Sequence, residues 1–203
     1  MTLLAEADVR GIQDFPRRGP ALIVVNHLGD GDAALLLAAL PVAPEVLGKI
    51  ELLEFPLLGV LMEWYGIIWL KRGLPDRPAL QGALHALEQG RFVILAPEGR
   101  YSLTGALEKA HNGAAWLARN ANVPIVPVAL TGTRNVSMYS NLRRFRRPRL
   151  TLTVGAPFQL EGTLLQPRAL QHATRQIMNS LARLLPSEYR GVYGGPPAAR
   201  GPR

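Results

Sequence analysis

Short runs of branched apolar residues recur along the chain, and stretches of helical spacing separate them. Residues 21–25 read ALIVV, 66–70 GIIWL, 92–95 FVIL, 125–130 IVPVAL and 150–154 LTLTV, with 46–50 a weaker example. Runs this short and this uniformly apolar suit strands covered on both faces. Helical spacing is expected over 32–40, 52–65, 78–89, 109–120 and 168–185. In the segment 78–89, Leu80, Leu84 and Leu87 repeat at helical intervals, and Gly90 stands where a helix stops. Strand alternating with helix predicts an α/β fold: a single domain over 1–190 whose largely parallel, mixed sheet is flanked by helices. With 203 residues, 48% of them hydrophobic, there is material for one substantial core. Residues 191–203 (GVYGGPPAARGPR) are rich in Gly and Pro and are expected to be a disordered tail.

The chain has no cysteine, which excludes disulfides, a thiol nucleophile and any Cys-ligated metal. No spacing suggests a metal site, and no dinucleotide fingerprint or Walker loop is present. The formal net charge is +8, unevenly placed. Residues 1–133 hold 11 Lys and Arg against 13 Asp and Glu, whereas 134–203 hold 12 Arg against two Glu. An anionic partner is expected, and the terminal third is where it would bind.

In a parallel sheet, ligands bind beyond the carboxyl ends of the strands. The loops there carry the polar groups. Asn26-His27-Leu28-Gly29-Asp30-Gly31-Asp32 follows the first run. Lys71-Arg72-Gly73 follows 66–70, Ala96-Pro97-Glu98-Gly99-Arg100-Tyr101-Ser102 follows 92–95, and Thr131-Gly132-Thr133 follows the run at 125. A histidine oriented by a carboxylate can take a proton from a hydroxyl. Lys71, Arg72 and Arg100 offer cations for a phosphate. The blander roles are a helix cap for Asp30 or Asp32, a solvated loop at 71–72 and a plain turn at 97–99. It is the coincidence of these groups after successive strands that points to a site for transferring a group to the hydroxyl of a phosphorylated acceptor.

These residues resemble the four blocks of the 1-acylglycerol-3-phosphate acyltransferase (PlsC-like) glycerolipid acyltransferase family. Asn26, His27 and Asp32 match Asn-His-x4-Asp. Residues 66–72 match a Gly, an apolar strand and an Arg. Residues 96–102 match Phe-Pro-Glu-Gly-Thr-Arg-Ser, and 125–128 match Val-Pro-Val. Lys49-x-Glu51-Leu52, Pro56, Gly59, Lys109 and Gly113-Ala114-Ala115 fit the linking segments. The resemblance covers about residues 20–160. Two departures stand out: Lys71 precedes Arg72 where Asp is usual, and Arg100-Tyr101 replaces Thr-Arg, moving the guanidinium by one position.

The resemblance implies an O-acyltransferase. His27, held by Asp32, would be the general base on the acceptor hydroxyl, which attacks the thioester of acyl-CoA or acyl carrier protein. Arg72, Lys71, Glu98, Gly99 and Arg100 would bind the acceptor and its phosphate. Pro127, Val128 and Thr131 would line the acyl or donor region. No bound cofactor is implied, and lysophosphatidic acid is the first expectation for the acceptor. A different acceptor, or a basic nucleic-acid- or lipid-binding module without catalysis, is the alternative. Nucleic acid is not expected as a partner, because the basic region has little but Phe145 to stack on a base.

Met1–Asp8 lacks a basic region followed by an apolar stretch, so no signal peptide is expected, and no uncharged stretch is long enough to span a bilayer. The expected location is cytoplasmic, peripheral to the inner face of the membrane. The segment 143–149 (RRFRRPR) supplies the expected anionic-surface contact through Arg143, Arg144, Phe145, Arg146 and Arg147. Residues 52–65 (LLEFPLLGVLMEWY) suit either an acyl tunnel or a bilayer contact.

Overall fold

The computed structural model describes residues 5–49, 67–70, 77–161 and 167–195. The expected helix at 52–65 and the loop carrying Lys71 and Arg72 lie outside these residues.

Among the described residues, seven strands form one sheet: β1 Glu6–Arg10, β2 Ala21–Val25, β3 Glu45–Lys49, β4 Ile68–Leu70, β5 Phe92–Leu95, β6 Ile125–Thr131 and β7 Arg149–Val154. Their order is β1-β7-β6-β2-β5-β3-β4. All neighbours run parallel except β6 and β7, so β6, β2, β5, β3 and β4 share one direction. The helices are α1 Gly31–Ala39, α2 Arg77–Glu88, α3 Gly113–Asn120, α4 Asn135–Arg143 and α5 Pro167–Leu184.

The two-residue period of a strand explains how β2 seeds two cores. Leu22 and Val24 join Val93, Ile125 and Ala129 on one face, under Ala83 and Leu87 of α2, Leu117 of α3, and Ile177, Met178 and Leu181 of α5. Ala21, Ile23 and Val25 join Ile94, Val126, Val128 and Leu152 on the other, against Phe15 and α1 residues Leu35 and Leu36. Covered on both faces and paired on both edges, β2 is buried along its whole length. Each large apolar side chain so enclosed contributes roughly 1.5–3 kcal/mol. In α5 the expected polar face, Arg168, His172, Arg175, Asn179 and Arg183, lies exposed.

Four features differ from the sequence expectations. β1 was not foreseen, because all five residues are exposed and the strand reads as polar. α3 starts at Gly113, not 109, because His111 N–H bonds Pro97 O (2.8 Å) and Leu107 N–H bonds Tyr189 O (2.8 Å), holding 107–111 out of helix. α4 was not foreseen either, since it buries no residue. The start of the expected tail is ordered: Gly191–Tyr193 is a 3-10 turn, Val192 N–H bonds Leu107 O, and Ala110 N–H donates to the Tyr193 hydroxyl.

The turn after β6 depends on Gly132, whose φ is +83°. A Cβ there would overlap the Arg149 carbonyl oxygen of β7. Gly132→Ala should therefore destabilise the fold by at least about 2 kcal/mol, through both the left-handed backbone and the clash. Urea unfolding monitored by circular dichroism measures it.

Candidate active site

The carboxyl ends of β2, β5 and β6 meet at one edge of the sheet, and side chains from their loops interlock there. Asn26, buried at the end of β2, ties that strand to β6: its Nδ2 donates to Leu130 O (2.9 Å), and Leu130 N–H donates to its Oδ1 (2.7 Å). The next residue is His27. Its main-chain carbonyl accepts Ser102 N–H (2.8 Å), which draws the loop after β5 against it.

The chain then turns into α1, and Asp32 enters the first helical turn almost fully buried. Its Oδ2 lies 2.8 Å from His27 Nδ1, 2.7 Å from Leu28 N and 3.1 Å from Gly29 N. Neither Asp30 nor Asp32 caps the helix in the usual way; Asp32 reaches back instead and fastens the loop. An ionised carboxylate only accepts, so the proton belongs on Nδ1 and the lone pair on Nε2. The His27 side chain is 28% exposed, so the ring is only partly enclosed.

The loop after β5 forms the opposite wall. Gly99 N–H closes a turn onto Ala96 O (3.0 Å), and Gly99 has φ +68°, a conformation suited to glycine. Glu98 is buried, with Oε2 accepting Glu108 N–H (2.9 Å). Burial pushes its carboxyl up to about 7, against the opposing effect of the Glu108 and His27 main-chain N–H groups; the Glu108 and Asp32 charges add to the rise. Arg100, expected at the phosphate, gives its guanidinium to Glu108 Oε2 (2.6 Å). Hydrogen bonds from Leu103 N–H and Thr104 N–H, joined by Arg100, hold the Glu108 carboxyl below its usual range.

Tyr101, standing where the resemblance leads one to expect Arg, packs edge-on against the His27 ring with centroids 4.2 Å apart. Its hydroxyl donates to Asp30 Oδ1 (2.7 Å). Asp30 Oδ2 also accepts Asn135 Nδ2 (3.0 Å) and the Tyr139 hydroxyl (2.9 Å) from α4, while Asp30 N–H donates to Asn135 Oδ1 (2.8 Å). The bond to Asp30 holds the Tyr139 hydroxyl above its usual range.

The structure thus brings His27, Asp32, Glu98 and Gly99 to one edge. Pro127 and Val128 lie elsewhere: both are buried in β6, Val128 wholly within the core, and only Thr131 reaches the strand end. Asp30 was read from the sequence only as a nearby carboxylate or helix cap, and Asn135 and Tyr139 were not singled out. Asn135 and Tyr139 stand one helical turn apart, but α4 buries no residue and has no apolar stripe to announce it. Among the described residues, no cluster of His, Asp and Glu could hold a metal ion.

The sequence model of the Acyltransferase family matches residues 6–131, which contain the whole His27, Asp32 and Glu98 constellation. The chain belongs to that family. It is 30% identical over 190 residues to the bovine 1-acyl-sn-glycerol-3-phosphate acyltransferase alpha, covering 91% of this chain and 65% of the relative. It is 33% identical over 129 residues to the lyso-ornithine lipid O-acyltransferase of Pseudomonas aeruginosa, covering 63% of this chain and 49% of the relative. The crystal structure of the lysophosphatidic acid acyltransferase PlsC from Thermotoga maritima superposes with a TM-score of 0.65 at 20% identity, covering 90% of this chain and 73% of that one. This likeness bears out the expected PlsC-like α/β fold. The chain spans only part of the length of the curated relatives it matches, 65% of the bovine protein and 39% of a Brassica napus one.

Glu98 makes a test of the site's electrostatics. The group titrates near 4.5 in the unfolded chain and near 7 in the folded one. Between those values the folded protein keeps a proton that the unfolded chain releases, so stability should fall as pH rises through that window. Glu98→Gln, which retains an oxygen for Glu108 N–H, should remove this loss, on the order of 3 kcal/mol, and flatten the curve of unfolding free energy against pH.

Proposed function

We propose that the protein is an O-acyltransferase that moves a fatty acyl group from a thioester, acyl-CoA or acyl carrier protein, to the hydroxyl of a lysophospholipid at a membrane surface. The observation that carries this reading is the contact between His27 Nδ1 and Asp32 Oδ2, with Asp32 itself pinned by two main-chain N–H groups. Such a pair leaves Nε2 as the base. Nε2 takes the hydroxyl proton while the oxygen attacks the thioester carbonyl. The C–O bond forms, the C–S bond breaks, and the proton passes to the departing thiolate. No acyl-enzyme is required.

Lysophosphatidic acid is the first acceptor to test, since several relatives are named for acylating 1-acyl-sn-glycerol-3-phosphate. The relative named for lyso-ornithine lipid makes a phosphate-free acceptor the second. Lys71 and Arg72 would hold a phosphate if one is present. The reaction would place the chain in phospholipid biosynthesis, working peripherally on the bilayer. Among the described residues, no helix is long and apolar enough to cross a membrane.

The test is a mass-spectrometric assay of acyl-CoA with lysophosphatidic acid, lyso-ornithine lipid and glycerol 3-phosphate. His27→Ala should lower kcat by about 10²–10⁴-fold, and Asp32→Asn by at least about 10²-fold, with folding retained. Full activity in His27→Ala would refute the mechanism.

A further inference from the structure

The outer side of α4 and the five residues after it differ from the rest of the surface. Val136 is 77% exposed, Leu142 39% and Phe145 101%. Arg143, Arg144, Arg146 and Arg147 stand exposed among them, and none pairs with a carboxylate among the described residues. Residues 135–144 also line an open groove of about 650 Å³, with Val136, Tyr139, Leu142 and Arg143 on its wall.

Phe145 is the most telling member. Phe145 N–H bonds Leu142 O (3.0 Å) and Arg146 N–H bonds Asn141 O (2.9 Å), the hydrogen-bond pair that closes a helix through a left-handed residue. That residue is usually glycine. Here it is Phe145, with φ +52° and its ring wholly in solvent. A bulky residue there costs conformational energy and recovers none through burial against the described residues, which points to a benefit from a contact outside the fold.

The inner side of α4 has almost no core contact and is held by Asn135 and Tyr139 on Asp30, in the loop that carries His27. Whatever seats on the outer side therefore lies beside the active-site mouth.

We infer that α4 with Arg144, Phe145, Arg146 and Arg147 is a docking element for an anionic lipid bilayer. Guanidinium groups interleaved with aliphatic and aromatic side chains fit an interface where head groups are negative and the layer beneath is apolar. A nucleic acid would use the arginines and could stack a base on Phe145, and an acidic protein would use the arginines, but both leave the exposed aliphatic Val136 and Leu142 without a role. The inference deepens the acyltransferase reading and rests on it for why a bilayer carries the partner; the binding measurement itself needs no substrate.

The test is sedimentation of the full chain with vesicles of phosphatidylcholine alone or mixed with phosphatidylglycerol. Binding should favour the anionic vesicles at least tenfold. Arg144→Glu combined with Arg146→Glu and Arg147→Glu should abolish that preference. Phe145→Gly should weaken binding several-fold while leaving Tm unchanged or higher, because glycine suits the left-handed position. Acylation of a detergent-dispersed acceptor should be the same in these variants as in the wild type, while KM for a vesicle-borne acceptor rises. Equal binding to both vesicles, unchanged binding in both variants, or binding only to nucleic acid or an acidic protein would overturn the inference. Vesicle binding without acyl transfer by the wild type would instead overturn the proposed reaction and leave docking standing.

Discussion

A single oxygen, Asp32 Oδ2, gathers three donors from the loop between β2 and α1: the His27 ring and the main-chain N–H groups of Leu28 and Gly29. A buried carboxylate needs such partners, because desolvation without them would cost several kcal/mol. The loop needs the carboxylate too, since those N–H groups would otherwise be unsatisfied at the entry to a helix. Orientation of the proposed base and local folding are therefore the same set of bonds. Around it, Asn26 fixes β2 to β6 and Ser102 fixes the β5 loop to His27. The position of the His27 ring is thereby determined from three strands.

Charge is divided as the architecture requires. The sheet edge has buried carboxylates, one of them raised by burial, and its local cation Arg100 is engaged by Glu108. Among the described residues, Arg143, Arg144, Arg146 and Arg147, on α4 and the turn after it, form one exposed group of arginines without a carboxylate partner. That part of the positive charge lies on a surface next to the candidate site.

Much of this was legible in the sequence because the two signals involved are local. ALIVV is apolar at every position and became a strand buried on both faces. The pair His27 and Asp32 could be anticipated because only four residues of loop and helix start separate them. What escaped depended on contacts distant in sequence. β1 is recognisable only through its pairing with β7, since its own residues are polar and exposed. α4 has no apolar period to read, and its tie to Asp30 spans more than a hundred residues. Tyr101 stood out as a departure from the family pattern, but its packing on His27 required the β5 loop to fold against β2. Residues 109–112 were assigned to a helix because hydrogen bonds to Pro97 and Tyr189 cannot be seen in a periodicity.

The central claim is that Asp32 fixes the His27 tautomer with the proton on Nδ1 and a free lone pair on Nε2. Nitrogen-15 NMR of histidine-labelled protein reads this directly, with His27→Gln to assign the resonances among the four histidines. At a pH where the ring is neutral, Nδ1 should show the shift of a protonated nitrogen and Nε2 that of an unprotonated one. A neutral ring with the proton on Nε2 would contradict the account, because the nitrogen not bound to Asp32 could then accept no proton.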